Sequence, residues 1–324
     1  MTDPANRLVN FTPLRYPGGK GRLSDFVKSI LRKNNLVDGE YCEPYAGGAA
    51  VALELLMHEY VTRIHINDIS RPLYALWSSI LNVPDEFSRK IRDATLSVRA
   101  WDRHKAIFRN ADDHDDLDLG FATFYLNRTN RSGILRGGII GGRAQTSLWG
   151  IDARYNAKDL AARVEAIASM RERIRVYNED AADFLTNTVA HLPKRTLVYL
   201  DPPYFVKGKD LYIDHYDAKD HAAIACLVRR IRPQSWIVSY DDVPQIRALY
   251  SRYRGIRYEL GYSARDAAKG VEVMYFSDNL DIPPAASQIA VLGKLRPRAP
   301  RPRTRATGRA PLPRGQRTKR RGGG

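Results

Sequence analysis

The sequence predicts an α/β protein built on a doubly wound, mostly parallel seven-stranded sheet, with a mainly helical lobe inserted into it. Three observations lead there. Short β-branched or aromatic runs alternate with helical patterns, the arrangement of a parallel sheet covered on both faces. Hydrophobic residues make up 44% of the 324, which suits one large or two moderate domains and excludes a wholly disordered chain. One gap breaks the alternation: a βαβ step takes about 30 residues, and the stretch from Asn67 to Ile174 is several times longer.

The elements follow in order. A helix over Leu23–Lys33 precedes a strand at Tyr41–Glu43, a helix at Ala49–Tyr60 and a strand at Arg63–Asn67. Ser70 and Pro72 are start signals for a helix over Pro72–Leu81. The inserted lobe, residues 82–171, contains helices at Leu117–Asn127 and Asp159–Met170. Asp112, Asp113, Asp115, Asp116 and Asp118 suit the start of the first of these, where negative charge meets the helix dipole favourably. They lack a regular metal-ligand spacing, and no metal is expected. The alternation resumes with strands at Ile174–Tyr177, Thr196–Leu200 and Ser235–Tyr240, and helices at Lys219–Ile231 and Pro244–Tyr253. Strands at Ile256–Tyr262 and Val271–Phe276 have no helical pattern between them, so they are expected to form an antiparallel edge pair. Residues 1–81 and 172–293 then make one discontinuous domain.

Charge and cysteine content narrow the class. There are 52 Lys and Arg against 36 Asp and Glu, for a net charge of +16. From Lys294 to Gly324 there are 12 basic residues and no acid, so most of the excess lies in a proline-rich segment expected to be a disordered basic tail. Such a polycation suits phosphate contacts without sequence reading. Cys42 and Cys226 are the only cysteines, too few for a disulfide framework or a thiolate zinc cage. Met1–Leu8 has no apolar signal region, and no run of about 18 apolar residues suggests a membrane span. Trp77, Trp101, Trp149 and Trp236 are expected to pack in the core or lobe, and His104, His191, His215 and His221 form no ligand set.

Four motifs carry chemistry. Asp201-Pro202-Pro203-Tyr204 follows the apolar run Leu197–Leu200. The two prolines end the strand ladder and stiffen the turn, holding a carboxylate and a ring at the sheet edge where ligands bind. Glu43-Pro44-Tyr45-Ala46-Gly47-Gly48-Ala49-Ala50 is a small-residue turn between strand and helix, through which backbone approaches a nucleotide-like ligand closely. Asp68 ends the next strand, 20 positions beyond Gly48, the usual spacing for an acceptor of ribose hydroxyls; read alone it is a helix cap. Arg15-Tyr16-Pro17-Gly18-Gly19-Lys20 reads as an anion-binding turn or a helix-initiating loop.

In this order the four motifs resemble the Dam-like family of adenine-specific DNA methyltransferases, which methylate the exocyclic amine. The resemblance runs from Thr12 to about Phe276 and takes in Asn127-Arg128-Thr129-Asn130-Arg131-Ser132-Gly133-Ile134 and Ser239-Tyr240-Asp241-Asp242. It implies the S-adenosylmethionine-dependent methyltransferase fold with the insertion as target-recognition lobe. It puts Tyr16 and Lys20 at the cofactor, Lys20 near its methionine carboxylate. Glu43, Pro44, Tyr45 and Gly47 lie under the methionine portion, Asp68 at the ribose and Asp180 at the adenine edge. Asp201, Pro202, Pro203 and Tyr204 form the catalytic turn, with Asp201 also beside the cofactor. One departure is Ala49-Ala50, where many members carry Gly or Ser.

The expected reaction is methyl transfer to the amine of a flipped adenine in duplex DNA. Asp201 and the Pro202 carbonyl accept the amine hydrogens and localise the lone pair, and Tyr204 stacks on the base. Between Asn127 and Lys158 lie six basic residues, one acid and several glycines. Arg128, Arg131, Arg136 and Arg143, with Asn127, are the candidate DNA contacts, since Arg is the commonest reader of guanine edges. The expected partners are double-stranded DNA and a cognate restriction endonuclease, with no membrane. The chain is expected as a monomer or weak dimer in a prokaryotic or phage cytoplasm, associated with the nucleoid. Alternatives are a cytosine-amine methyltransferase, against which Asp201 argues, an RNA substrate, an inactive DNA-recognition relative, and a nucleotide-binding oxidoreductase, which lacks a full glycine fingerprint.

Overall fold

Strand alternation decides how the sheet is covered. Tyr41, Leu197, Tyr199, Ile237 and Met274 join one buried cluster, while their neighbours Cys42, Val198, Trp236, Val238 and Val273 join another. Successive side chains point to opposite faces, and both faces are apolar, so both must be covered. In the computed structural model, which describes residues 11–15, 20–205, 216–260, 271–284 and 289–297, they are.

The sheet has eight strands in the order β3-β2-β1-β4-β5-β7-β6-β8. They are β1 (Gly39–Glu43), β2 (Val61–Asn67), β3 (Ile174–Tyr177), β4 (Thr196–Leu200), β5 (Ser235–Asp241), β6 (Arg254–Leu260), β7 (Glu272–Phe276) and β8 (Ile289–Leu295). The first five are parallel, and β7, β6 and β8 continue the sheet antiparallel. The expectation of seven strands is corrected to eight in a mixed sheet. The sequence reading missed β8 because its burial is one-sided at best: Val291 and Leu292 are exposed and the strand lies on the edge. β8 also runs through Lys294 and Leu295, past the expected start of the basic tail; residues 298–324 lie outside the described residues.

The helices begin and end where local chemistry permits. Helix α1 (Ser24–Lys33) buries Phe26, Val27, Ile30 and Leu31 on one face and places Arg32 and Lys33 in its last turn, near the negative end of the dipole. Helix α2 (Ala50–Met57) bridges β1 and β2, and α3 (Arg71–Asn82) starts with proline in its first turn. The insertion adds α4 (Pro84–Arg92), α5 (Val98–Arg109), α6 (Asp116–Thr129) and α7 (Ala157–Ser169). Asp115 caps α6, its side chain accepting from the Asp118 N–H, so part of the aspartate run serves the helix start as expected. Gly120 of α6 lies so close to α3 that an added Cβ would meet the Ala75 carbonyl oxygen at 2.6 Å. The lobe's Phe87, Phe124 and Leu160 share one cluster with the sheet's Tyr41 and Leu197. Beyond the insertion come α8 (Ala181–Asp183), α9 (Ala218–Val228) and α10 (Pro244–Leu249).

The chain runs outward from β1 to β3, then returns to place β4 on the other side of β1. This reversal falls at the carboxyl ends of β1 and β4, the place where open α/β sheets bind ligands.

Candidate active site

Glu43 ends β1, Asp68 follows β2 and Asp201 follows β4, so three of the four motifs converge on the reversal. The turn after β1 is tied from both sides. The Gly47 N–H donates to Asp68 Oδ2 at 2.9 Å, Trp77 Nε1 donates to the Gly47 carbonyl at 3.1 Å, and Thr12 Oγ1 donates to the Gly48 carbonyl at 2.6 Å. Gly47 (φ 47°) and Ala49 (φ 47°) are left-handed. Ala49 pays a steric cost that glycine would not, and such strain collects where a turn is shaped for a ligand. Glu43 is buried beneath, accepting from Tyr41 OH at 3.1 Å and the Ala52 N–H at 3.2 Å. Burial pushes its carboxyl up to about 8, and these two donors only partly offset the rise.

Asp68 also accepts from the Ser70 N–H at 3.0 Å, so it serves the start of α3 as well as the glycine turn. Asn67 Nδ2 donates to the carbonyls of Pro44 and Glu179, lacing the ends of β1, β2 and β3 together. Asn178 Nδ2 does the same for the carbonyls of Asp68 and Ile69. Ile69 is 49% exposed there. Asp180 is exposed and caps α8, accepting from the Ala182 N–H at 2.8 Å. Tyr45 hydrogen-bonds Tyr216, OH to OH, at 3.1 Å.

The Asp201–Tyr204 turn is held from several elements. Asp201 Oδ1 accepts from Ser239 Oγ at 2.7 Å, and Tyr199 OH lies 2.8 Å from the same Ser239 oxygen. Lys20 Nζ stands 3.4 Å from Asp201 Oδ1 and 2.6 Å from Glu272 Oε2, and donates to Tyr204 OH at 3.3 Å. Tyr204 OH donates to Glu272 Oε1 at 2.8 Å, and Tyr258 OH donates to Glu272 Oε2 at 2.6 Å. The Phe205 N–H donates to Asp241 Oδ1 at 2.8 Å, anchoring the exit of the turn. Burial alone would push the Lys20 ammonium down; Asp201 and Glu272 outweigh it and hold it above the ordinary lysine range. Burial pushes the Asp201 carboxyl up, Lys20 and Ser239 pull it back and Glu272 adds to the rise, leaving it above its usual range.

Several expectations therefore meet and others move. Lys20 of the fourth motif meets the Asp201–Tyr204 corner, its ammonium beside Asp201 and Glu272 and donating to Tyr204 OH. A buried cation goes to the nearest carboxylates, and two stand beside it. Tyr16 lies outside the described residues. The sequence reading missed Glu272 and Tyr258; the available signal was an acid among the apolar residues of β7.

The predicted DNA contacts divide. Asn127 is buried, accepting from the Arg15 N–H at 2.7 Å and donating to the carbonyls of Arg15 and Gly133 at 2.9 and 3.0 Å. Arg128 donates to the Arg154 carbonyl, and burial with Arg15 and Arg163 nearby pushes its guanidinium down to about 10. These two brace the lobe. Arg131 and Arg136 are exposed, and Arg143 is exposed in a two-pronged pair with Asp102. Gln145 braces the glycine-rich loop, donating to the Ile140 carbonyl and accepting from the Ile151 N–H. Trp149, expected to pack, is instead 59% exposed beside Leu148 at 90%, with the Arg154 guanidinium 5.8 Å from its ring centre. Among the described residues the indole's ring contact is with a guanidinium, not with an apolar core side chain.

A mixed sheet reversing at β1 and β4, with a glycine turn and an acid-proline corner at its carboxyl edge, is the architecture of a methyltransferase-like α/β fold. A sequence model described as D12 class N6 adenine-specific DNA methyltransferase matches residues 16–263, and the chain belongs to that family. It is a DNA adenine methyltransferase. Comparison with curated proteins finds no match. Among solved structures, the chain is similar to the rRNA methyltransferase aviRa from Streptomyces viridochromogenes, at 10% identity and a TM-score of 0.36, covering 86% of this chain and 95% of that one. It is also similar to protein LPL1258 from Legionella pneumophila, at 12% identity and a TM-score of 0.32, covering 81% and 86%.

Proposed function

We propose that this chain binds S-adenosylmethionine in the crevice between the Glu43–Ala49 turn and Asp201, and methylates the exocyclic amine of an adenine flipped out of duplex DNA. The residues suit that cofactor. Asp68 offers a carboxylate for ribose hydroxyls, and the exposed Ile69 offers an apolar face beside Asp180 for the adenine ring. Among the described residues, two carboxyl groups of the corner, Asp201 and Glu272, share the Lys20 ammonium, an arrangement that favours a cationic ligand. When bound, S-adenosylmethionine supplies an electrophilic methyl group on a sulfonium.

The protein's part is to orient and polarise the target amine. The adenine nitrogen is a weak nucleophile because its lone pair is delocalised into the ring. Asp201 and the Pro202 carbonyl accept its two hydrogens, favouring a pyramidal nitrogen and a localised lone pair. Ser239 and Lys20 occupy Asp201 Oδ1, so Oδ2 is the oxygen offered to the substrate. Tyr204, tethered through its hydroxyl to Glu272, presents a fixed ring for the base, worth about 1–3 kcal/mol of stacking. The observation that carries this reading is the rigidly held Asp201–Tyr204 corner beside the glycine turn.

The insertion reads the DNA in this proposal. Arg131, Arg136 and Arg143 supply cations, and Leu148 with Trp149 forms an apolar prow that wedges against the base pairs around the vacated position. Residues 1–81 and 172–293 act as the catalytic domain and 82–171 as the recognition lobe. The protein works as a monomer or weak dimer on nucleoid DNA in the cytoplasm, paired with a restriction endonuclease where one is encoded. Incubating the purified protein with labelled cofactor and duplex DNA, followed by nucleoside analysis and sequencing of the methylated positions, tests it. N6-methyladenine at a defined site supports the reading; label on cytosine, or none, refutes it.

A further inference from the structure

Glu272 belongs to none of the four motifs, yet the corner is organised around it. It sits on β7 opposite Asp241 of β5 and Tyr258 of β6, and is 5% exposed. Its carboxylate accepts from Lys20, Tyr204 and Tyr258, which come from the segment before α1, the catalytic turn and β6. Its contact with Lys20, at 2.6 Å, is closer than the 3.4 Å between Lys20 and Asp201.

We propose that Glu272 is a positioning residue for methyl transfer: it draws the Lys20 ammonium away from Asp201 and pins the Tyr204 ring, leaving Asp201 an oxygen free to accept the substrate amine. The proposal rests on the reading of Asp201–Tyr204 as the catalytic corner. With one carboxylate instead of two, the buried ammonium would settle fully on Asp201, and Ser239 would occupy much of what remained. A carboxylate saturated by its own protein is a poor acceptor for substrate. The Tyr204 hydroxyl, tied across to β7, likewise cannot swing with its turn.

A purely structural Glu272 would matter only for folding, whereas a positioning Glu272 changes the charge at Asp201. The groups facing Asp201 are Lys20 before α1, Glu43 on β1, Tyr199 on β4, Ser239 on β5 and Glu272 on β7, with Tyr258 of β6 behind Glu272. Glu272 opposes ionisation of Asp201. Removing its charge makes Asp201 easier to ionise, so the acid limb of the rate profile moves to lower pH.

The test uses the full chain with labelled S-adenosylmethionine and duplex DNA. Glu272→Gln is expected to lower kcat by about tenfold or more at saturating cofactor and DNA, and to displace the acid limb of kcat downward in pH. A folded Glu272→Gln protein with wild-type kcat and an unmoved limb overturns the proposal. Should that variant not fold, Glu272→Asp decides, because it keeps the buried charge but withdraws the carboxylate from Lys20 and Tyr204. A fall in kcat of about threefold with a displaced limb supports the proposal; wild-type behaviour overturns it. Asp201→Asn is measured alongside. If it too retains full activity, the catalytic reading has failed; if Glu272→Gln alone is indifferent, only the positioning role has.

Discussion

Replacing Asp201 by asparagine isolates the acceptor at the catalytic corner with little change of shape. In the folded protein Oδ1 is engaged by Ser239 at 2.7 Å, with Lys20 at 3.4 Å. The asparagine oxygen can keep those partners, which puts its NH₂ group where, in the proposed mechanism, Oδ2 accepts from the adenine amine. Two donors then face each other. Losing a hydrogen bond to a charged acceptor costs about 1.5–3 kcal/mol, and leaving a donor unsatisfied costs a further ~1–3 kcal/mol. Together these raise the barrier by about 2.5–6 kcal/mol, which is roughly a 10²- to 10⁴-fold loss in kcat. Single-turnover transfer of a labelled methyl group to duplex DNA measures it, with cofactor affinity followed by calorimetry. If Asp201→Asn turns over within about tenfold of wild type while binding cofactor normally, the corner does not polarise the amine.

Three other perturbations probe separate parts of the molecule. Trp149→Ala removes an indole that is 59% exposed; it should weaken DNA binding by about 1–3 kcal/mol, roughly 5- to 150-fold, with cofactor affinity unchanged, and fluorescence anisotropy with labelled duplex would show an unaltered affinity if the wedge is wrong. Burial raises Glu43 from its usual 4.5 to about 8, so between those values the folded chain holds a proton that the unfolded chain has released. Stability of the cofactor-free protein should therefore fall as pH rises through that window, and Glu43→Gln should flatten the dependence in denaturant titrations; equal slopes for both proteins would exclude Glu43 as its source. Gly120→Ala drives a methyl group toward the Ala75 carbonyl oxygen at 2.6 Å, an overpacking cost of about 1–3 kcal/mol that should lower Tm in calorimetry, whereas an unchanged Tm would show that α3 and α6 can part freely.

Much of this architecture was legible in the residues, and the exceptions have physical reasons. Periodicity located β1–β7 because each buries at least one face; β8 escaped because its exposed Val291 and Leu292 give no core-facing pattern. The length of the gap after Asn67 pointed to extra structure, since a simple crossover cannot use so many residues, and α4–α7 occupy it. Asp201, Asp68 and the glycine turn were singled out because their signals are local: prolines stop a strand and small residues open a turn. Glu272 was not, because its importance arises from β7 lying between β5 and β6, a pairing across distant sequence. The basic residues of the lobe were equally ambiguous. Asn127 is buried and Arg128 half-buried, both engaged with backbone carbonyls, and exposure of Trp149 turns an expected packing residue into a surface feature.

The clasp between the segment ahead of α1 and the insertion has a consequence for protein engineering. Arg15 exchanges backbone hydrogen bonds with Asn127, Arg163 donates to the Thr12 carbonyl at 3.0 Å, and an added Cβ at Gly133 would strike the Arg15 carbonyl oxygen at 2.0 Å. Chimeras that transplant residues 82–171 from a relative would sever those links and seat the segment on a mismatched cradle. A portable cassette has to bring residues 11–15 with it, so two pieces far apart in the gene must be exchanged together.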